Sequence, residues 1–135
     1  MTVRREAFAV HEAAQRRAQA AEAERARPLV AEFVRRAGQL GLAPEPLRAR
    51  AYSGSATYRT GLRGWYLQSG GPLAIGSDGE FYVLITAPSL SARVRGVQIE
   101  PTSPSLAVGR GARDGESMSL RELLEHRLAA GNAFR

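Results

Sequence analysis

The chain contains no cysteine, so a disulfide framework, thiolate metal ligation and a cysteine nucleophile are all excluded. Histidine is scarce: only His11 and His126 occur, near opposite ends, and a zinc site would need unusual ligands. No apolar run approaches the ~20 residues of a membrane span, so no membrane partner is expected. The opening MTVRREAFAV carries arginines but lacks an apolar stretch of about 7–15 residues. A secretory signal is therefore not expected, and the cytoplasm is the expected location. Lysine is also absent, and all 19 basic residues are arginine; GC-rich coding accounts for that substitution without special guanidinium chemistry. There is no internal repeat, and the only biased tract is the alanine-rich N-terminus.

What is present fits one domain. A chain of 135 residues, 44% hydrophobic, should bury roughly two-thirds of its unfolded surface around one core. The formal charge of +6 is spread unevenly. At both ends arginines alternate with acids in the manner of solvated helix faces. Between Glu45 and Asp78 the pattern changes: Arg48, Arg50, Arg59 and Arg63 meet no acid and are interleaved with Tyr52, Tyr58, Trp65 and Tyr66.

Residues 4–26 have high helix propensity and no proline, with few large apolar side chains beyond Val3, Phe8 and Val10. A heptad line through Val3, Ala7, Val10 and Ala14 fails at Arg17, so only a short, weak coiled coil is available. The expectation is a helix over 1–27, docked by its first turns and loosely held beyond them. Pro28 suits the first turn of a second helix. Leu29, Val30, Phe33, Val34, Ala37 and Leu40 follow at helical spacing, and Gly41, Pro44 and Pro46 stop it. Residues 28–135 are read as a single α+β domain.

From about residue 48 the hydrophobic period falls to two, with glycines as punctuation. In PLAIGSDGEFYVLI, Asp78-Gly79 reads as a type I′ turn. That register pairs Ser77 with Glu80, Ile75 with Tyr82 and Leu73 with Leu84. The second strand is apolar on both sides, so it should be central and covered on both faces. Another strand is expected at Arg93 to Glu100, bulged at Gly96, and a short one at Leu106 to Val108. Ser119 and Glu122 fit a capping box, with Met118 and Leu123 as the hydrophobic staple of a C-terminal helix that ends at Gly131.

The glycine-rich LAVGRGARDGES, residues 106–117, superficially resembles a phosphate loop, which would make Arg110 and Arg113 anion ligands. Its spacing matches neither GxGxxG nor GxxxxGK[ST], and no strand follows the helix it precedes. Asp114 and Glu116 would also repel an anion at the helix N-terminus, so the loop reads as a structural hinge. No catalytic constellation emerges. His126 pairs with Glu122 at helical i, i+4 spacing, and GESMS at 115–119 lacks the last glycine of a nucleophile elbow. Neither a cofactor nor a metal is implied.

The sequence thus points to an α+β domain: two N-terminal helices, an antiparallel β-meander of about five or six short strands, and a C-terminal helix packed on the sheet. The expected function is non-catalytic binding: a small adaptor, chaperone-like partner or self-associating subunit. Three features motivate it: a poorly anchored N-terminal helix, a strand needing cover on both faces, and Arg127 inside an apolar helical stripe. A protein partner or homo-oligomer would supply the missing contacts. The alternative is nucleic-acid binding, in which arginines of the 48–66 stretch meet phosphates while its rings stack on bases.

Overall fold

The Ala/Arg/Glu-rich N-terminal segment is one unbroken helix in the computed structural model, which describes residues 2–109 and 117–134. This helix, α1 (Thr2–Gln39), runs through Pro28, so the expected pair of helices is a single one. A proline inside a helix forfeits one hydrogen bond and costs about 3 kcal/mol. Here Pro28 lies on the exposed side, where the carbonyl it leaves unpaired faces water. Helix-favouring neighbours and a buried stripe of Ala23, Ala26, Val30, Phe33 and Ala37, spaced alternately three and four apart, hold the turns on either side. Docking also begins at the opposite end from that expected. Phe8 and Val10 are 65% and 66% exposed, and anchoring starts at Glu22, whose carboxylate accepts from the Leu106 N–H at 3.1 Å, with burial from Ala23. Gly41 ends the helix as expected: with φ of 72° it lets the Leu42 N–H reach back to the Ala37 carbonyl at 2.9 Å, a Schellman closure.

The central sheet comprises β1 (Glu45–Ala51), β2 (Thr57–Tyr66), β3 (Leu73–Gly76), β4 (Phe81–Val83) and β5 (Ile85–Thr86), in the spatial order β4-β3-β2-β1-β5. β1 to β4 form the expected antiparallel meander, whereas β5 pairs with β1 in parallel. Only Leu84 separates β4 from β5. Its N–H donates to the Pro72 carbonyl at 2.8 Å on the β3 side, and its carbonyl accepts from the Arg50 N–H at 2.9 Å on the β1 side. One extended segment therefore serves both ends of the ladder, and the sheet closes on itself at a residue that is 1% exposed.

The β3–β4 turn differs from the expected type I′ by one residue. Ile75 pairs with Phe81, Ala74 with Tyr82 and Leu73 with Val83. The reason lies in Asp78, whose Oδ1 accepts from the Glu80 N–H at 3.0 Å and whose Oδ2 accepts from the Tyr82 hydroxyl at 2.6 Å. Held this way, Asp78 keeps a negative φ; only Gly79, at 84°, takes the left-handed region. The loop is then three residues long. A one-residue slip sends every side chain to the other face, which places Tyr82 opposite small Ala74.

Each face of the sheet has its own core. Trp65, Ile75 and Phe81 pack under α1 and the C-terminal helix α3 (Leu120–Ala130), together with Val108. Phe33 meets Trp65 edge-on at 5.7 Å between centroids, and the Trp65 Nε1–H donates to the Leu42 carbonyl at 3.2 Å. On the other face Leu47, Ala49, Ala74, Tyr82 and Leu84 pack with Leu62, Val97 and Ile99. The strand with two apolar sides is thus covered within the chain.

Arg93 to Glu100 is not a strand. Ser89 caps a short helix, α2 (Leu90–Arg95), by accepting from the Ala92 N–H, and Gly96 terminates it at φ 79°; the supposed bulge is a helix end. Its only ladder-like tie is Val97 N–H to the Arg59 carbonyl, 2.8 Å. Strand β6 (Ala107–Gly109) pairs antiparallel with β7 (Ser117–Ser119), which leads directly into α3. Arg110 and Arg113, and with them the loop read as a hinge, lie outside the described residues. Ser119 caps α3, its Oγ accepting from the Glu122 N–H at 3.1 Å. Met118 and Leu123 join the same core, as the staple requires. No helix among the described residues is long and apolar enough to cross a membrane.

Candidate functional site

Strand alternation sets the site. On β1, Leu47, Ala49 and Ala51 face inward, so Arg48 and Arg50 face out. On β2, Arg59 and Arg63 take the exposed positions. The register sets Arg48 opposite Arg59 and, across an irregularity between Pro46 and Arg48, Pro46 opposite Arg63; the exposed alternation of both strands gathers all four arginines on the outward face. Like charges directly opposite in a sheet repel. The guanidiniums turn apart, each to a backbone carbonyl: Arg48 to Thr57 at 3.2 Å, Arg50 to Gly70 at 2.9 Å, Arg59 to Val94, and Arg63 to Pro44 at 3.0 Å. Arg48 also donates through Nε to the Thr57 hydroxyl at 3.1 Å. The ion pairs among the described residues are Arg27–Glu24, Arg35–Glu32 and Arg36–Glu125, and none involves this row. Carbonyl anchoring fixes direction without cancelling charge, so the face combines ordered donors with unneutralised cations.

The aromatic residues of the stretch do not assemble with the arginines into a stacking surface. Tyr58 and Trp65 are buried at 2% and 4% exposure. The Tyr58 hydroxyl accepts from the Ser89 N–H, and Trp65 belongs to the core under α1. Tyr52 is exposed, outside the row. Tyr66 is half-buried, and its hydroxyl accepts from the Arg48 N–H at 2.8 Å.

That last contact marks a cleft. On the same edge of β1, Arg50 N–H pairs with Leu84 and Tyr52 N–H with Thr86. Two residues earlier the β5 ladder has ended, and the Tyr66 hydroxyl takes the place of a strand carbonyl. The opening has a volume of about 320 Å³, with Arg48, Arg50, Thr57 and Glu45 on one side and Gln68 to Pro72 on the other, Tyr66 and Leu84 within, and Phe134 at the rim. Of the expected binding residues only Arg48, Arg50 and Tyr66 line it. Glu45, Thr57, Leu84 and Phe134 escaped sequence reading because nothing local distinguishes them. The QSGGP run at 68–72 did carry a signal, a turn that must lie beside a strand end.

Arg127 supports this cleft from beneath. It is 3% exposed; its Nε donates to the Tyr66 carbonyl at 2.8 Å and its Nη1 to the Gly131 carbonyl at 2.9 Å. The guanidinium carbon stands 4.1 Å from the centre of the Phe134 ring. Burial pulls its pKa below the ordinary arginine value, and the Glu45 charge opposes that fall. The cation in the apolar stripe is therefore satisfied inside its own chain. His11 and His126 are both exposed, on α1 and α3, neither lines the cleft, and Glu122–His126 is not among the ion pairs of the described residues. No family model matches this chain, and no curated protein or solved structure matches it.

Proposed function

We propose that this protein is a non-catalytic binding module whose arginine-bearing sheet face engages an acidic segment of a partner protein. One observation carries the reading: Arg48, Arg50, Arg59 and Arg63 share a face, each directed by a backbone carbonyl and none paired with a carboxylate among the described residues. An arginine held this way has lost part of its rotamer freedom before the partner arrives, which lowers the entropic cost of association. Self-association is the weaker form of the reading, because Arg127 and the twice-covered strand are satisfied internally. The nucleic-acid alternative loses its stacking platform with Tyr58 and Trp65 in the core.

Fluorescence anisotropy with labelled polyglutamate and a labelled single-stranded oligonucleotide tests this directly. Polyglutamate should bind at low salt and weaken as salt rises, and the double variant R59Q/R63Q should lose roughly tenfold or more of that affinity. An oligonucleotide that binds tighter than polyglutamate would reverse the choice of partner. Binding of either that ignores the double substitution would remove the arginine face from the argument.

A further inference from the structure

The cleft beside β1 has chemistry that the row as a whole does not. We propose that it binds a small organic monocarboxylate, its carboxylate held by Arg50, Arg48 and the Tyr66 hydroxyl and its apolar body lying against Pro72 and Phe134. This goes beyond the acidic-partner reading and stands without it.

Size is the first argument, because about 320 Å³ falls at the lower end of small-molecule sites. The second is unused hydrogen-bonding capacity. Tyr66 receives a hydrogen bond from the Arg48 N–H, so its own hydroxyl proton points elsewhere, and no described side chain or backbone group accepts it. Among the described residues Arg50 commits only Nη2, and Arg48 only Nε and Nη2. The Nη1 groups of both remain available, a donor set that suits the two oxygens of one carboxylate. Charge is the third argument: Arg48 and Arg50, with Arg127 beneath, outweigh the Glu45 carboxylate at the margin, so the cleft is cationic and attracts an anion. Glu45 disfavours a second negative charge placed beside it. Apolar surface is supplied by Pro72 and by Phe134, which lies against the Arg127 guanidinium, beside the polar Gln68 and Ser69.

Thermal shift and isothermal titration with 3-phenylpropionate, its neutral amide and phenyl phosphate provide the test. The carboxylate should bind and raise the melting temperature, while the amide should bind at least ~10-fold more weakly, since charge-assisted hydrogen bonds are lost. Arg50→Gln should reduce carboxylate affinity by a similar factor, and Tyr66→Phe by several-fold, about one neutral hydrogen bond. Arg121→Gln, an exposed change on α3, controls for net charge and should leave affinity unaltered. Circular dichroism confirms that each variant is folded; if Arg50→Gln is not, the acid-to-amide ratio on the unaltered protein decides alone. Equal binding of acid and amide, no saturation by the acid at millimolar concentration, or preference for phenyl phosphate would each overturn the assignment. R59Q/R63Q separates the two proposals: it should weaken polyglutamate binding by roughly tenfold or more and spare phenylpropionate.

Discussion

Replacing Arg127 by methionine isolates what a buried guanidinium contributes to this fold. Methionine keeps most of the length and apolar contact while removing the charge and both hydrogen bonds. The structure sets the terms: two carbonyls, Tyr66 and Gly131, lose donors at 2.8 and 2.9 Å, and the Phe134 ring loses the cation above it. Orphaning the buried Tyr66 carbonyl costs about 1–3 kcal/mol, whereas the Gly131 carbonyl keeps the Phe134 N–H at 3.4 Å; a desolvated cation–π contact adds roughly 1–2 kcal/mol. Against this, the charge no longer has to be held out of water, which returns a few kcal/mol. The expected balance is a loss of about 1–2 kcal/mol, or a melting temperature lower by roughly 5 °C. Arg127→Lys reaches one carbonyl at a time and should fall between. Urea unfolding with a constant m-value is the assay. A methionine variant as stable as the parent would refute the reasoning, since the two carbonyl contacts would then be worth no more than their desolvation.

Gly64→Ala should unfold the protein or cost more than about 3 kcal/mol, because a Cβ there would stand 2.1 Å from the Ile75 carbonyl oxygen in a tightly packed sheet; Gly38→Ala, with open space around it in α1, should instead stabilise by about 1 kcal/mol. Equal melting temperatures for these two variants would contradict the packing described for β2 and β3. Burial and the hydrogen bond to Asp78 raise the Tyr82 pKa above the usual tyrosine value. The unfolded chain releases that proton first, near pH ~10, so the stabilisation is complete below pH ~10 and declines above it by about 1.4 kcal/mol per pH unit. Tyr82→Phe should flatten that part of the alkaline decline, and identical slopes for the two proteins would exclude Tyr82 as its source.

Local chemistry was legible where one residue dictates one geometry. Gly41 as a helix terminator and Ser119 as a cap were readable because their roles depend on the residues beside them. The apolar alternation of β3 and β4 announced strands, yet the register depended on whether Asp78 or only Gly79 adopted positive φ. That is decided by Tyr82 reaching back to the carboxylate, a tertiary contact. Pro28 misled for a related reason: propensity argues for a break, whereas the Ala23-to-Ala37 stripe lying across the sheet holds the helix together. Val94, Val97 and Ile99 imitate a strand, but Ser89 offers a cap just before Leu90, a signal present and passed over. For the site, the acid-free arginine stretch was visible. Its separation into a carbonyl-anchored row and a cleft was not, since Thr57, Gly70, Val94 and Pro44 accept through backbone atoms, which the side-chain sequence does not encode.

The closure at Leu84 also orders events during folding. The β1–β2, β2–β3 and β3–β4 pairings join neighbours in the chain, while β1 must wait for residues far downstream before Arg50 can meet Leu84. Non-local contacts of this kind carry the larger loop-closure cost and form late. The cleft beside Arg50 does not exist until that final pairing is made. A molecule bound there would act on the fully closed form alone, and its effect on refolding would appear in the unfolding rate rather than in the earlier steps of assembly.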